Sequence, residues 1–410
     1  MTGLAHQVEE WLLREALGQP SVRNVFETLC LRLAGIGIPI ARARLNWPTL
    51  HPLFRAEMVR WDRGTGPAAV EYFHHQDQNS EAWQQSPLAF MLEAGIPILR
   101  RRLSGPGKVV DFPLLKDLAE KGLTDYIAFK TAFVEAELVA DSRIAGIFVI
   151  WGTDRESGFT DEDIDVLQQI QQTFALVCKS IIQAQITGNI VETYLGQKAG
   201  RSVMNGKIRL GDGTTTRALV WYSDMRDSTR LTARLKSDDF LDLLNAYFEC
   251  AARPAIEAGG EVLAFIGDAV LVIFPVNEKT DLSALAEKVV SAAQRSFAMR
   301  QETNERHRAA GKGEIAFGIG LHLGEVVFGN IGVPERLAFT VIGSTVTEVE
   351  RIEKLTKRVG PNILATAEVA GLLPEVWRTI GIHSLAGIED PMELFTPIAC
   401  AQDGIAVAAQ

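Results

Sequence analysis

Residues 262–275 read VLAFIGDAVLVIFP, an apolar run interrupted only by Gly267 and Asp268. A carboxylate buried without a partner is too costly to be idle, so Asp268 must meet a cation, a donor or water. Gly-Asp between two β-rich runs predicts a tight hairpin, with Asp268 pointing into solvent from the turn. The stretch alone leaves a solvated turn and a working carboxylate equally open.

The residues upstream add a second carboxylate. RALVWYSDMRDSTRL (217–231) alternates apolar and polar positions into Asp224, then turns through Ser228 and Thr229. A helix follows in DDFLDLLNAYFECAARPAIEAGG (238–260), and then the hairpin. In a strand–helix–hairpin order the first strand can lie beside the hairpin, bringing Asp224 and Asp268 to one edge. Two convergent carboxylates repel unless a divalent cation lies between or beside them. The turn MRDST (225–229) offers backbone N–H groups at a helix start, a natural anion cradle. Carboxylates for metal beside amides for phosphate suit a metal–polyphosphate ligand.

The whole chain has 410 residues, which predicts two or three domains. With 47% hydrophobic and 22% charged residues it has the composition of a globular protein. A net charge of −10 argues against nucleic acid or an anionic membrane as partner, while leaving a metal-mediated nucleotide open. Cys30, Cys178, Cys250 and Cys400 have no metal-type spacing and predict free thiols in a reducing compartment. The first residues lack the pattern of a secretory signal, and no run of 18 apolar residues is found, so a cytoplasmic protein with no membrane span is expected.

The first third predicts helices over 4–17 and 22–35, then strands at 41–47, 56–64, 125–134 and 143–153. Thr160 with Asp163 predicts a capping-box-like helix start. Leu167, Ile170, Phe174, Val177, Ile181 and Ala184 follow a 3-4 spacing, which predicts a parallel two-stranded signalling helix. His51, His74 and His75 read as exposed loop histidines rather than haem or metal ligands, and His322 as a packed core histidine. In its order of helices, antiparallel sheet and long exit helix, this region resembles a GAF domain. Such domains bind small ligands or chromophores or dimerise, which leaves room for a small-molecule ligand of unidentified chemistry.

SDMRDSTRL (223–231), GGEVLAFIGDAVLVIFP (259–275), FGIGLHLGEVVFGNIG (317–332) and FTVIGSTVTEVERIEKL (339–355) together resemble the catalytic domain of class III nucleotidyl cyclases. The resemblance covers roughly residues 217–398. It implies an α+β chain with α/β character: a GAF-like antiparallel-sheet domain over 1–160, a coiled-coil signalling helix over 161–195, a transducer or hinge over 196–216, and a ferredoxin-like catalytic domain over 217–400. It also implies Asp224, Asp268 and the Met225 carbonyl as ligands of two Mg²⁺ or Mn²⁺ ions. Ser228 and Thr229 would hold the terminal phosphates, Thr340 and Ala264 would flank the base, and Arg351 with Thr347 would stabilise the transferring phosphate. The implied substrate is a nucleoside triphosphate, ATP by default, and the site needs a homodimer.

The chain departs from the family pattern at Ala264, where a base-reading lysine is usual, and at Thr347, usually asparagine. Ala386 stands in place of a phosphate-contacting lysine, and Asp227 in place of a turn glycine. Two readings follow: an active cyclase with a reworked pocket, or a degenerate cyclase domain acting as a dimeric nucleotide-binding regulatory module.

Overall fold

The computed structural model describes residues 2–18, 20–133, 146–211 and 213–398. Parts of the two strands expected at 125–134 and 143–153, namely Val134 and residues 143–145, lie outside the described residues, as does Cys400. The chain divides into two compact units, Met1–Ile190 and Val191–Gln410.

The first unit opens with helices α1 (Thr2–Glu15) and α2 (Val22–Gly35), as the apolar periodicity predicts. Strands β1 (Arg42–Pro48), β2 (Phe54–Asp62) and β3 (Ala69–His74) follow, then the short helices α3 (Glu81–Gln84) and α4 (Pro87–Glu93). Strand β4 (Ile98–Arg102), helix α5 (Pro113–Glu120), strands β5 (Asp125–Ala132) and β6 (Gly146–Thr153), and helix α6 (Asp161–Leu195) complete the order. The six strands form one antiparallel sheet in the order β3-β2-β1-β6-β5-β4. Period-2 alternation gives it two apolar faces. Leu45, Val59, Val149 and Trp151 pack in one core with residues of α1, α2 and α6. Tyr126, Ala128, Phe148 and Ile150 pack in another with Leu88 and Met91 of α4 and Leu115 and Leu118 of α5.

The start of α6 follows the expected capping box. The Asp163 amide donates to Thr160 Oγ1 at 3.2 Å, and the Thr160 amide donates to Asp163 Oδ2 at 2.8 Å. The stripe expected to form a two-stranded seam along α6 is largely used within the unit. Leu167, Ile170, Phe174 and Val177 are buried in the unit's own core, Ile181 packs against that core, and Ala184 is exposed. A helix lying on a twisted sheet needs the same 3-4 stripe as a coiled coil, and spacing does not distinguish them. By length and composition α6 is apolar enough to cross a membrane, with a window of mean hydropathy 1.3. Its polar side is nevertheless bonded within the unit, Gln169 to Glu9 at 2.9 Å and Gln171 to Thr131 at 2.9 Å, which is how a core helix is used.

The second unit contains α7 (Gln197–Met204), β7 (Gly213–Met225), α8 (Ser228–Thr232), α9 (Ser237–Glu257), β8 (Glu261–Ile266) and β9 (Ala269–Val276). Then come α10 (Leu282–Ala309), β10 (Phe317–Val333), β11 (Arg336–Ile342), α11 (Ser344–Val359), β12 (Ile363–Thr366), α12 (Ala367–Ala370), β13 (Trp377–His383) and β14 (Met392–Pro397). The segment expected as a hinge therefore holds a helix, and β7 begins before residue 217. The sheet runs β13-β14-β12-β10-β7-β9-β8, with β11 on β10. Leu219 and Trp221 face a core shared with residues of α9 and α10, while Ala218, Val220 and Tyr222 face another that includes Val349 of α11. Burying a side chain the size of Trp221 contributes about 1.5–3 kcal/mol, so this alternation fixes the register of β7.

Three glycines of β10 set the approach of α11. A Cβ on Gly318 would lie 2.3 Å from Thr356 Oγ1, one on Gly320 2.6 Å from the Val349 carbonyl oxygen, and one on Gly324 2.5 Å from Thr345 Oγ1. The repeated glycines of FGIGLHLG thus form the groove in which α11 lies. His322, between them, is buried, with Nε2 2.7 Å from Glu348 Oε2 and Nδ1 3.0 Å from Thr366 Oγ1. It is a packed histidine, as the sequence predicts.

Candidate active site

The opening stretch folds as the predicted hairpin. Ile266 pairs with Ala269 across the two-residue turn Gly267-Asp268, and Gly267 takes φ +63°. The Met225 amide donates to the Asp268 carbonyl at 3.1 Å, tying the turn to the end of β7. Asp224 is paired with Ala269 in the ladder, so both carboxylates lie at the same end of the same strand pair. The convergence expected from strand–helix–hairpin order is present.

Asp224 is mostly buried, and burial raises its pKa above the usual carboxylate range, with Asp268 adding to the rise. Lys357 of α11 opposes this. Its ammonium donates to Asp224 Oδ2 at 2.8 Å. Burial works against the Lys357 charge, yet the bond to Asp224 holds its pKa above the ordinary lysine value. Lys357 was not foreseen in the sequence. It lies 133 positions from Asp224, and beside Glu353 it reads as an ordinary i,i+4 surface pair.

Glu353 is the second unforeseen member. It is fully buried beneath β10, and burial pushes its carboxyl up to about 7, with Lys357 and Arg226 pulling the other way and Asp224 adding to the rise. Glu353 Oε2 has no hydrogen-bond partner. Arg226 fixes the turn after β7: its amide donates to the Ala316 carbonyl at 2.8 Å and its guanidinium to Asn362 Oδ1 at 2.8 Å. Asp227 then takes φ +58°, the one positive φ of a non-glycine residue among those described. Asparagine and aspartate tolerate this left-handed region best after glycine, so Asp227 keeps the shape of the turn that glycine usually makes. Ser228 and Thr229 begin α8, where the first amides have no intrahelical acceptor. Below, the Tyr247 hydroxyl donates to Ser223 Oγ at 3.1 Å and braces β7 from the core side.

The remaining candidates stand apart from the carboxylates. Thr340 lies on β11, paired with Gly329, and Ala264 on β8, paired with Leu271. Thr347 is exposed on α11 and Arg351 is partly exposed. Among the described residues, none of Thr340, Thr347 and Arg351 shares a hydrogen bond or ion pair with Asp224 or Asp268. Arg351 Nη1 is 3.7 Å from Glu350, and its buried Nε has no partner. Ala386 is exposed before β14.

Asp224, Asp268 and the Met225 carbonyl are hard oxygen donors, the chemistry that Mg²⁺ and Mn²⁺ accept. The Lys357 ammonium already acts as a stand-in cation on one of them. No group of three or more His, Cys, Asp or Glu suited to a metal occurs among the described residues. A cation here would take its other ligands from water or substrate.

Residues 213–384 match the family model of the adenylate and guanylate cyclase catalytic domain. The C-terminal unit carries a cyclase catalytic domain. The chain is 34% identical over 162 residues to an adenylate cyclase of Anabaena cylindrica, covering 40% of this chain and 32% of that protein. It is 31% identical over 160 residues to a terminal-differentiation-specific adenylate cyclase of Dictyostelium discoideum, covering 39% of this chain and 7% of that one. The chain thus spans a third or less of the length of these curated relatives. Among solved structures it is similar to the adenylyl cyclase CyaB of P. aeruginosa, with a TM-score of 0.41 and 26% identity over 47% of this chain and 98% of that one. Asp224, Asp268, Ser228, Thr229, Thr340, Thr347 and Arg351 all lie within the matched residues.

Proposed function

We propose that the cyclase domain converts a nucleoside triphosphate, ATP by default, to a cyclic nucleotide and pyrophosphate. The observation that carries this reading is the placement of Asp224 and Asp268 at one end of the β7–β9 pair, with a cation already drawn to Asp224. Two curated relatives that the chain matches are adenylate cyclases by name, which supports ATP. The strand order β10-β7-β9-β8 supports a ferredoxin-like core.

In this reading Asp224, Asp268 and the Met225 carbonyl hold two Mg²⁺ or Mn²⁺ ions. When bound, such ions acidify the attacking ribose hydroxyl and neutralise the leaving polyphosphate. The amides of Ser228 and Thr229 orient the terminal phosphates. Lys357 keeps Asp224 ionised despite burial and must yield its place as the cation binds. Arg351, with its Nε unpartnered, and Thr347 stabilise charge on the α-phosphate. They act from a second protomer, so that a homodimer contains two equivalent sites. Thr340 reads the base edge, and Ala264 leaves that edge without the usual lysine, which relaxes selectivity among bases.

The domain order of a small-ligand sensor over 1–160, α6 as the connecting helix and a catalytic domain over 217–400 belongs to the same proposal, as does a cytoplasmic setting. The buried free thiols of Cys30, Cys178 and Cys250 support the latter.

The test is to incubate the purified protein with Mn²⁺ and each of ATP, GTP, CTP and UTP and to identify cyclic products by mass spectrometry. A cyclic nucleotide that disappears in Asp268→Ala supports the proposal and names the substrate. No cyclic product from any of the four would favour a nucleotide-binding regulatory module, with Ala264, Thr347 and Ala386 as the physical reasons.

A further inference from the structure

The N-terminal unit contains a cavity of about 580 Å³ on the sheet face that carries α3, α4 and α5. That volume falls in the range of small-molecule sites. Its floor is the sheet: Arg44 and Asn46 of β1, Met58 of β2, Tyr126 of β5, and Phe148 and Ile150 of β6. Its roof is Trp83, Leu88 and Leu114, with the Arg55 guanidinium 5.4 Å from the Trp83 ring centre.

Three polar atoms on this floor lack hydrogen-bond partners among the described residues. Tyr126 is 1% exposed, and its hydroxyl makes no hydrogen bond. Arg44 Nε and Asn46 Oδ1 are buried and equally unpartnered. Arg44 makes no ion pair among the described residues. Glu71, two strands away on β3, attracts the Arg44 charge through space, but its carboxylate is engaged by Arg60 at 3.2 Å. A buried guanidinium nitrogen without an acceptor and a buried phenol without an acceptor each carry a desolvation cost, and burial lowers the Arg44 pKa despite the pull of Glu71. Burial raises the Tyr126 pKa, so the phenol stays protonated and is available as a donor. The acidic groups of the lining, Asp77, Glu81 and Asp117, are exposed at the mouth. Asp77 caps the His74 amide at 2.7 Å and Glu81 accepts from Gln85 at 2.8 Å, so two of the three are already occupied.

We infer that this cavity binds a small organic monocarboxylate with an aromatic or aliphatic body. The carboxylate accepts from the Arg44 guanidinium and the Tyr126 hydroxyl, and the body fills the space among Trp83, Met58, Phe148 and Leu88. A compact inorganic anion would satisfy Arg44 but leave the apolar walls uncovered, and an uncharged body would leave Arg44 unpaired. The site is independent of the cyclase reading, because it involves only residues of the first unit.

The test is calorimetric titration of the full chain with benzoate, indole-3-acetate and octanoate, each beside its primary amide, and with inorganic phosphate. At least one acid should saturate, with its amide binding at least tenfold more weakly. Arg44→Met should weaken that acid by more than tenfold. Tyr126→Phe, which removes only the hydroxyl and keeps the ring in place, should weaken it roughly ten- to hundredfold, the range for a hydrogen bond to a charged group. Thermal melts confirm that both variants are folded. The inference is overturned if no acid saturates, if acids and amides bind alike, if phosphate alone binds, or if the folded Tyr126→Phe protein binds the acid unchanged.

Discussion

At the end of β7 in the C-terminal sheet, the polar groups that break the apolar runs are answered from within the chain. On the cavity floor of the N-terminal sheet, three polar atoms are not. Asp224 has Lys357, Arg226 has Asn362 and His322 has Glu348. Arg44, Asn46 and Tyr126 have only a cavity. Both units are sheets clad by helices on two faces, so architecture does not explain the contrast. The difference is one of pre-organisation. In the proposed reading Lys357 holds Asp224 until a metal ion replaces it, whereas Arg44 of the first unit would be completed by a ligand of the cavity.

The comparison can be broken most sharply at the aspartates. Asp224→Ala or Asp268→Ala should lower cyclase turnover by about a thousandfold or more, since each removes a ligand of the ions that activate the hydroxyl and the leaving group. Residual activity within tenfold of the wild type would remove the paired-carboxylate account. Arg351→Ala should cost about 10²–10³-fold in kcat with little change in the metal requirement, as expected for one donor aimed at developing charge.

Gly320→Ala sharpens the comparison from the packing side. Its Cβ would meet the Val349 carbonyl at 2.6 Å, where neither backbone can yield cheaply. Overpacking of this kind costs about 1–3 kcal/mol, to be read from denaturant unfolding. Lys357→Met has a smaller effect and the opposite sign for metal. With the internal cation gone, the Mn²⁺ concentration for half-maximal activity should fall by roughly two- to fivefold, the scale of a partly exposed ion pair. An increase would mean that Lys357 assists the metal instead of competing with it.

Glu353 gives the pH test. Its folded-state pKa of about 7 lies above its ordinary 4.5, so between these values the folded chain retains a proton that the unfolded chain has lost. Its stabilising contribution is therefore complete below about pH 4.5 and is lost as pH rises through 7. Glu353→Gln should flatten the decline in melting temperature across that interval, and an unchanged pH profile would contradict the assignment.

Much of the site was legible because its chemistry coincides with its punctuation. Gly267-Asp268 is both the hairpin turn and a carboxylate position, and the polar turn after Asp224 is both the strand end and the start of α8, the proposed phosphate cradle. The glycines of FGIGLHLG mark a close helix, though only the structure shows that Thr356 and Glu353 fill the space. Lys357 and Glu353 were not legible, because their partners lie on a strand more than a hundred residues away and their spacing is that of a solvated helix face. The stripe on α6 shows the converse problem. A 3-4 spacing specifies an apolar face and does not name what covers it, and here the first unit's own sheet covers most of it. In β1, ARARLN alternates like any half-exposed strand, so nothing in the sequence sets Arg44 apart from Arg42. Arg42 pairs with Asp62, whereas Arg44 faces the cavity.

The central claim is that the aspartate pair of one protomer works with Arg351 of another to cyclise a nucleotide. Mixing Asp268→Ala and Arg351→Ala proteins, each inactive alone, tests it directly. Random pairing makes half of the dimers mixed, each with one intact site of two, so about a quarter of wild-type cyclic-nucleotide formation should return. A mixture as inactive as its parts, beside an active wild type, would contradict a site shared between protomers.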